Sequence, residues 1–302
     1  MTAIEARAQE GYYGLPLLKK PLWGWEIALY FLSEGISSGC FILGEMAELF
    51  GGDRHESLVR NARYIALATI VPCPPLLIAD LGRPERFHHM LRVFNWRSPM
   101  SIGAWALSVY SPPVALLALR QFAALRWIPD RVLSVVGLPF AFLMLAYPGV
   151  LLSTTSNPLW SRSHFVGPLL GTSSMAAAVS ALAIASALNP DTDPRTRQTI
   201  GNVEKIAQAS EALAIAAYVH TAGPAARPLL TGRYSRMFKY GAFAAGILLP
   251  ALIMATRKKP GRTSTVISGV LSLTGSLCLK WAIVHAGRES AAEPAGAAAF
   301  NR

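Results

Sequence analysis

The sequence predicts an all-α membrane protein that crosses the bilayer about eight times, and three observations support this prediction. Of the 302 residues, 52% are hydrophobic and only 15% are charged, with a mean hydropathy of +0.36. Soluble domains carry about 25% charged residues, so much of this surface faces something other than water. The apolar residues form blocks of about 20, the length that spans a bilayer as a helix. The blocks are continuous rather than alternating, which excludes the strands of a membrane barrel.

Eight apolar blocks are long enough to span the membrane, and breakers or charges separate them. The first and the sixth are the least apolar, because they contain carboxylates. No apolar core of a signal peptide lies within the first 20 residues, so we expect the first helix to direct insertion. The predicted spans are 23–50, 64–81, 101–122, 132–153, 166–188, 203–222, 238–256 and 266–286.

Small residues are dense in the first and fifth spans, and such surfaces let membrane helices approach closely. Gly-Ile-Ser-Ser-Gly at 35–39 resembles Gly-Thr-Ser-Ser-Met at 171–175, and each opens a set of four spans. This predicts two four-helix bundles, although glycine- and serine-rich helices also resemble each other by chance. The expected organisation is an N-terminal segment 1–22, a first bundle 23–153, a second bundle 154–288 and a flexible tail 289–302.

The net charge of +11 does not predict nucleic-acid binding, because the basic residues fall mainly between the apolar blocks, as in membrane-protein loops. Lysine and arginine are divided almost equally between the two sides of the membrane, so charge alone leaves the orientation open.

The three cysteines (Cys40, Cys73 and Cys278) lie in apolar stretches without a Cys-x-x-Cys pair, which indicates core residues rather than a metal cluster. Only His220 and His285 approach the spans, near their ends, so neither haem nor metal is predicted.

Ionisable residues inside the spans suggest function, because burying them in a membrane costs several kcal/mol. Glu34 and Glu45 are eleven residues apart and so share nearly one helix face. The sixth span carries Glu204, Gln208 and Glu211 on one face, and Lys280 lies within the eighth. These groups predict a proton relay or a carboxylate-lined pocket; the alternative is that they pair with one another or reach the interface.

The segment 80–101 between the second and third spans is rich in arginine and aromatic residues, which are enriched in protein interfaces. It contains Arg83, Arg86, Arg92 and Arg97. The alternative is a helix that lies among the lipid headgroups.

Several motifs together resemble the NrfD/PsrC family of membrane subunits of polysulfide-reductase-like and nitrite-reductase-like complexes. The most specific is Asp-Leu-Gly-Arg-Pro-Glu-Arg-Phe at 80–87, continuing to Arg-Ser-Pro-Met-Ser at 97–101. The resemblance covers nearly the whole chain, and its other motifs are Tyr-Tyr-Gly-Leu-Pro at 12–16, the segment 23–30, Tyr-Pro-Gly at 147–149, Pro-Leu-Trp at 158–160, residues 171–174 and the helix with Glu204 and Glu211.

The resemblance implies a haem-free subunit that reacts with a membrane quinone, menaquinone or ubiquinone, within a multisubunit oxidoreductase. It implies two four-helix bundles and an iron–sulfur partner with four clusters, attached to a molybdopterin or multihaem subunit that holds the catalytic substrate site. The protein would lie in a bacterial or archaeal cytoplasmic membrane with periplasmic termini. The loop 82–100, together with Asp80, would then be the docking surface for the iron–sulfur partner.

The resemblance also implies a quinone site. Tyr147 matches the tyrosine that hydrogen-bonds the quinone in the polysulfide-reductase member, whereas Tyr30 stands where that member has a histidine and Ile27 where it has an asparagine. Trp25 or Glu26 would supply the missing polarity. We expect Glu34, Glu204, Glu211 and Lys280 to form the proton route to this site, because of their depth. Two alternatives remain: a passive anchor for soluble subunits, and a transporter or proton-translocating module of an energy-converting complex.

Overall fold

The computed structural model of this protein describes residues 21, 23–51, 55–120, 129–256 and 261–291. The motif at 12–16, most of the segment 1–22 and the greater part of the tail 289–302 lie outside the described residues. The described part is built from helices and contains no strand, so the prediction of an all-α membrane protein is confirmed. Its eight long helices are α1 Trp25–Phe50, α2 Glu56–Asp80, α3 Pro99–Leu119, α4 Asp130–Ser153, α5 Val166–Leu188, α6 Pro194–Ala222, α7 Met237–Ala255 and α8 Arg262–Ser290.

Within the described residues, seven of these helices are long and apolar enough to cross a membrane. The remaining one, α6, has 29 residues and so the length to span, but it is too polar to meet the same criterion. This agrees with the prediction that the sixth span is weak by hydropathy. The protein is a multi-pass membrane protein of roughly eight helices.

Two helices begin eight or nine residues earlier than their apolar blocks. The second span was expected from residue 64, but α2 starts at Glu56, and α6 starts at Pro194 instead of residue 203. Each early segment carries arginines, which lower the hydropathy without breaking the helical hydrogen bonds. Arg63, which precedes the predicted span, is therefore a helix residue rather than a loop residue.

Two helices are irregular. In α2, regular helix stops at Ile70 and resumes at Cys73, where Pro72, Pro74 and Pro75 remove backbone donors. The first part of α7, Met237–Leu248, is a π-helix that continues as α-helix from Leu249. Short helical turns at Pro84–Leu91, Pro158–Ser161, Gly223–Ala226 and Arg227–Leu230 lie in the connections.

The centre of the bundle is formed by α1 and α5. In the most apolar stretch of each, 78% and 67% of the residues are buried, against 22% in α2 and 28% in α7. The small residues bring α1 and α5 together: Gly35 abuts the Ser174 side chain, and Gly39 abuts Ala178. The two segments that resemble each other in sequence thus pack against each other.

The helices of each half contact one another, and α1 also packs against α8, and α5 against α4. The division into two four-helix bundles at residue 153 stays a prediction. Because successive spans alternate in direction, the starts of α1, α3, α5 and α7 share one membrane face with the ends of the other four. We call it the docking-loop face, because the loop 82–100, the expected docking surface, lies there.

Candidate functional site

One face of α1 carries Ile27, Tyr30 and Glu34, which are spaced three and four residues apart. All three are buried, with Tyr30 1% and Glu34 0% exposed. Neither the Tyr30 hydroxyl nor the Glu34 carboxylate has a hydrogen-bond partner among the described residues. The Ser38 hydroxyl lies near Glu34 but donates to the Gly35 carbonyl, 3.3 Å away. Buried polar atoms are normally paired, so this face has capacity to bind a polar ligand or water.

Tyr147 of α4 comes to the same region. It is 6% exposed, and it lies near Tyr30 and Glu34. Its phenol ring packs over Gly103 of α3, where any Cβ atom would overlap the ring and the hydroxyl. Glycine at position 103 therefore makes room for the phenol. The structure thus brings Tyr147, Tyr30 and Ile27 together, each within about three helical turns of the docking-loop face.

The two other predicted quinone contacts lie differently. Trp25 is 50% exposed, and five residues along a helix place it about 140° around α1 from Tyr30. Glu26 is half-buried on the side of Tyr30, with its carboxylate folded back over Gly24. The structure therefore brings Glu26 toward the site and leaves Trp25 outside it.

Asp80 links the docking loop to this helix. Its carboxylate accepts a hydrogen bond of 3.1 Å from the backbone N–H of Gly24, just before α1 begins. Asp80 is half-buried and also lies near Glu26 and Arg288. The four arginines of the loop, in contrast, are all exposed. Asp80 thus points into the protein, whereas Arg83, Arg86, Arg92 and Arg97 point outward.

The exposed loop is also rich in apolar surface. Large side chains that stand 40% or more exposed between residues 87 and 100 are Phe87, Leu91, Val93, Phe94, Trp96 and Met100. The Arg97 guanidinium stacks over the Trp96 ring at 4.9 Å, and Asn95 N–H donates to the Ser101 hydroxyl at 2.9 Å. Such a mixture of cations and exposed aromatic rings is typical of a protein-binding surface.

Lys280 of α8 lies at the junction of the two halves. It is fully buried, and its Nζ donates to Ser276 at 2.7 Å and to Ser173 of α5 at 3.2 Å. It interacts electrostatically with Glu211 of α6 on one side and with Glu34 of α1 on the other. The buried Lys280 amine, which lies near both acids, therefore connects the face of Tyr30 to the second half.

The acidic face of α6 continues away from this junction. Glu204, Gln208 and Glu211 are 2 to 4% exposed and lie on one side of the helix. Glu204 accepts a 3.4 Å hydrogen bond from Ser180 of α5, and the Gln208 amide nitrogen has no partner among the described residues. The four residues predicted as a proton route are thus all buried and follow one another through the bundle.

Sequence reasoning did not find the ionic cluster that involves Glu45. Arg63 of α2 donates to both Glu45 oxygens, at 2.8 and 2.9 Å, and the Ser134 hydroxyl donates to Glu45 at 2.5 Å. Arg63 also lies 3.5 Å from Asp130, which pairs with Arg120. The spacing of Glu45 from Glu34 suggested a shared role, but the pairing shows that Glu45 is a structural residue at the opposite membrane face.

Sequence reasoning also missed a clamp on the docking-loop face. Trp160 stacks on Trp23 at 5.3 Å and donates from its indole nitrogen to the Ile283 carbonyl at 2.9 Å. The neighbouring Asn157 amide donates to the Gly287 carbonyl at 2.5 Å. The Pro-Leu-Trp motif at 158–160 thereby ties the start of α1 to the end of α8. Its only signal in the sequence was the resemblance to a family segment.

No group of three or more potential ligands that could hold a metal ion occurs within residues 21, 23–51, 55–120, 129–256 and 261–291.

Comparisons with known proteins identify the family. The family described as "Polysulphide reductase, NrfD" matches residues 17–291.

Several known proteins are similar to this one. A polysulfide reductase subunit of Wolinella succinogenes is 26% identical, over 88% of this protein and 94% of its own length. Protein NrfD of Escherichia coli is 24% identical, over 88% of this protein and 95% of its own length. The Hdr-like menaquinol oxidoreductase integral membrane subunit of Archaeoglobus fulgidus is 25% identical over a shorter part, 40% of this protein and 29% of its own length. The match to 17–291 covers all eight helices and the clustered tyrosines, and the protein therefore belongs to the NrfD polysulphide reductase family.

Proposed function

We propose that this protein is the membrane subunit of an oxidoreductase complex and exchanges electrons between a membrane quinone and a docked iron–sulfur subunit. The single observation that carries the proposal is the meeting of Tyr147, Tyr30 and Glu34 near the docking-loop face. Two phenols with a nearby acid suit a quinone, because its carbonyl oxygens accept hydrogen bonds and become more basic on reduction. The name of the menaquinol oxidoreductase relative agrees with this substrate class.

The surroundings of the phenols supply a place for a long apolar molecule. An apolar groove of about 420 Å³ opens between α3 and α4, lined by Phe94, Ile102, Trp105, Ala106, Val109, Phe140 and Leu143. Leu143 lies one turn from Tyr147, and Ile102 is adjacent to Gly103. The groove therefore begins beside the phenol contact, and we assign it to the isoprenoid tail of the quinone.

In this proposal the exposed loop 82–100 docks the iron–sulfur subunit, and the molybdopterin or multihaem subunit with the catalytic substrate site attaches to it. Arg83, Arg86, Arg92 and Arg97 contact the partner, while Asp80 holds the loop against the start of α1 through Gly24. Docking at this face places the partner's cluster nearest the phenols. By the family resemblance, this is the periplasmic face of a bacterial or archaeal cytoplasmic membrane.

Reduction of a quinone to a quinol takes up two electrons and two protons, and oxidation releases them. The electrons pass between the quinone and the docked partner. For the protons we propose the buried series Glu34, Lys280, Glu211 and Glu204, with the hydroxyls of Tyr147 and Tyr30 at the two quinone oxygens relaying each proton between the quinone and this series. This series also supports the alternative of a proton-translocating module, since it extends well beyond the quinone toward the other face.

The test is Tyr147→Phe in the purified complex with its native partners. Loss of the phenol hydroxyl that positions the quinol and relays its proton is expected to lower quinol oxidation by about 10²-fold while the complex still assembles. Tyr110→Phe is the matched control: Tyr110 is a fully buried tyrosine of the same half that bonds to Ser37 at 3.0 Å, and we expect it to keep its activity. Unchanged turnover in Tyr147→Phe would contradict the proposal and favour a passive anchor.

The proton series has its own test. Glu34→Gln and Glu211→Gln each keep the size of the side chain and remove its titration. We expect either change to slow quinol turnover in the assembled complex. A residue whose replacement leaves the rate unchanged is not on the route.

A further inference from the structure

We propose that the second half of the protein binds an anionic phospholipid at the docking-loop face, with the lipid phosphate held by the basic residues between α6 and α7. The segment 223–240 contains four cations and no carboxylate. All four side chains are exposed, and none has an ion-pair partner among the described residues. We call these residues the basic patch: Arg227, Arg233, Arg236 and Lys239.

The connection that carries most of the basic patch is packed against the protein. Residues 223–230 form short helical turns, and Leu229 within them is fully buried. Tyr234 packs against His285 of α8 with the ring centroids 5.5 Å apart, and the Arg233 guanidinium lies 5.9 Å from the Tyr234 ring. Groups that are already held in place lose little conformational freedom when a ligand binds. The connection therefore presents its cations as a preformed surface.

The packing of α7 on α8 fixes the direction in which the last part of the patch points. Gly241 and Gly246 are five residues apart, which is one hydrogen-bonded turn of a π-helix, and both face α8. A Cβ atom on either glycine would overlap an atom of α8. Lys239 and Tyr240 are exposed and therefore project away from this contact. Their side chains point out of the bundle.

The membrane boundary passes close to Lys239 and Tyr240. α7 has 19 residues, a length that just spans the hydrocarbon core, so its first turn lies at the level of the lipid headgroups. Tyr240 is 68% exposed there. Lysine and tyrosine suit this level, because the stem or ring stays in the apolar layer while the polar end reaches water. Side chains that project into lipid at this depth are out of reach of a soluble protein, which favours a lipid as the ligand.

An apolar surface for the acyl chains continues from the patch along α7. This helix packs mainly against α8 and has few contacts with α6, so much of its length is open to lipid. Large apolar side chains that are more than a third exposed follow Tyr240 along α7: Phe243, Leu248, Leu249 and Leu252. A phospholipid would use both the cations and this surface, whereas a free phosphate would use the cations alone.

The charges of the basic patch match a phosphate diester. Arg236 and Lys239 are three residues apart at the start of α7, so their like charges lie close together. A phosphate between them would remove this repulsion, and arginine can bind it through two N–H groups at once. At the opposite face, Arg63 and Arg120 already pair with carboxylates. The need for an external anion thus distinguishes the basic patch from these arginines.

The binding of lipid can be measured on the purified full-length protein without quinone or partner, so the test is independent of the proposed function. Native mass spectrometry would compare dioleoylphosphatidylglycerol, which is anionic, with dioleoylphosphatidylcholine, which has no net charge. A cation near an anionic lipid contributes about fivefold to binding, and salt reduces this contribution. We expect the protein to bind phosphatidylglycerol about tenfold more tightly than phosphatidylcholine.

A variant without three of these charges should lose the preference. It combines Arg233→Gln, Arg236→Gln and Lys239→Gln, and we expect its affinity for phosphatidylglycerol to fall about tenfold. The matched control removes the same charge from the exposed loop of the first half, on the same face, and should keep the preference: Arg83→Gln, Arg86→Gln and Arg92→Gln. Should the combined variant unfold, Lys239→Gln alone changes one exposed side chain and is expected to weaken binding by about threefold.

Equal affinity of the wild type and the combined variant for phosphatidylglycerol would overturn the inference, and so would an equal loss in the control. Displacement of the lipid by excess inorganic phosphate would show a site for the free anion rather than for a lipid. If the combined variant keeps its lipid affinity but no longer assembles with its soluble partner, the basic patch binds that partner instead.

Discussion

The contact between Gly103 and Tyr147 allows the position of the phenol to be tested without altering the phenol. In Gly103→Ala, the added methyl group would occupy the space of the Tyr147 ring and hydroxyl, so the ring must shift or rotate. The change lies in α3 and removes no hydrogen bond. The variant therefore tests the position of the Tyr147 hydroxyl while the hydroxyl itself is retained.

Two opposing contributions set the stability of this variant. Overpacking in a buried contact costs about 1–3 kcal/mol, whereas alanine in place of glycine within a helix gains about 1 kcal/mol. We therefore expect a net loss of about 0–2 kcal/mol, which leaves the protein folded. A displacement of the phenol by about 1 Å is expected to lower quinol turnover by about 10²-fold, because proton donors act over short distances.

The assay is quinol oxidation by the purified complex, with thermal unfolding in detergent as a second measurement. Gly167→Ala is the matched control: Gly167 lies near the same face in α5, and a Cβ there would meet nothing within 4 Å. It should keep its turnover and gain slightly in stability. Wild-type turnover in Gly103→Ala would refute the reasoning, because it would mean that the position of the Tyr147 phenol does not matter to the reaction.

Two further predictions concern residues outside the phenol site. Arg63→Ala leaves the Glu45 carboxylate buried without its cation and should cost about 3–5 kcal/mol of stability, seen as a lower unfolding temperature in detergent. A combined Arg63→Met and Glu45→Leu change should recover most of the lost stability. Equal unfolding temperatures for the single and the combined variants would contradict the structural role of this pair. Asp80→Asn weakens the charge-assisted hydrogen bond to Gly24 by about 1 kcal/mol and should loosen the loop, measured as faster proteolysis between residues 82 and 100. Equal proteolysis of variant and wild type would show that Asp80 does not hold the loop against the start of α1.

Most of the fold could be predicted from the sequence because a membrane allows few kinds of backbone structure. A helix must satisfy its own backbone in lipid, so long apolar blocks predict helices directly. The predicted block 166–188 coincides with α5 as observed. The errors arose where charge lies inside a helix, as with Arg63 in α2, because hydropathy registers the arginine but not the Glu45 that neutralises it.

The site was predictable only in part. The depth of Glu34, Glu211 and Lys280 could be read from their positions, and the structure shows all three buried at one junction. The contact of Gly103 with Tyr147 could not be predicted, since it joins residues 44 positions apart on different helices. Nor could the inward orientation of Asp80, because an exposed and a half-buried carboxylate look alike in sequence. Such pairings depend on the rotation and register of neighbouring helices, which periodicity alone does not determine.

The placement of Lys280 connects the two halves through charge. A single lysine lies beside two carboxyl groups, Glu34 and Glu211, and uncompensated charge inside a membrane protein is costly. Along α6 and α8, Gln208, Ser268 and Ser272 have polar atoms without a partner among the described residues, which fits the proposal that protons reach the trio from this side. In the first half, Glu45 already has its full set of partners and needs no such supply. The buried acids of the two halves thus differ in how they are neutralised, which fits the proposal that the phenols of the first half bind the quinone and the second half delivers the protons.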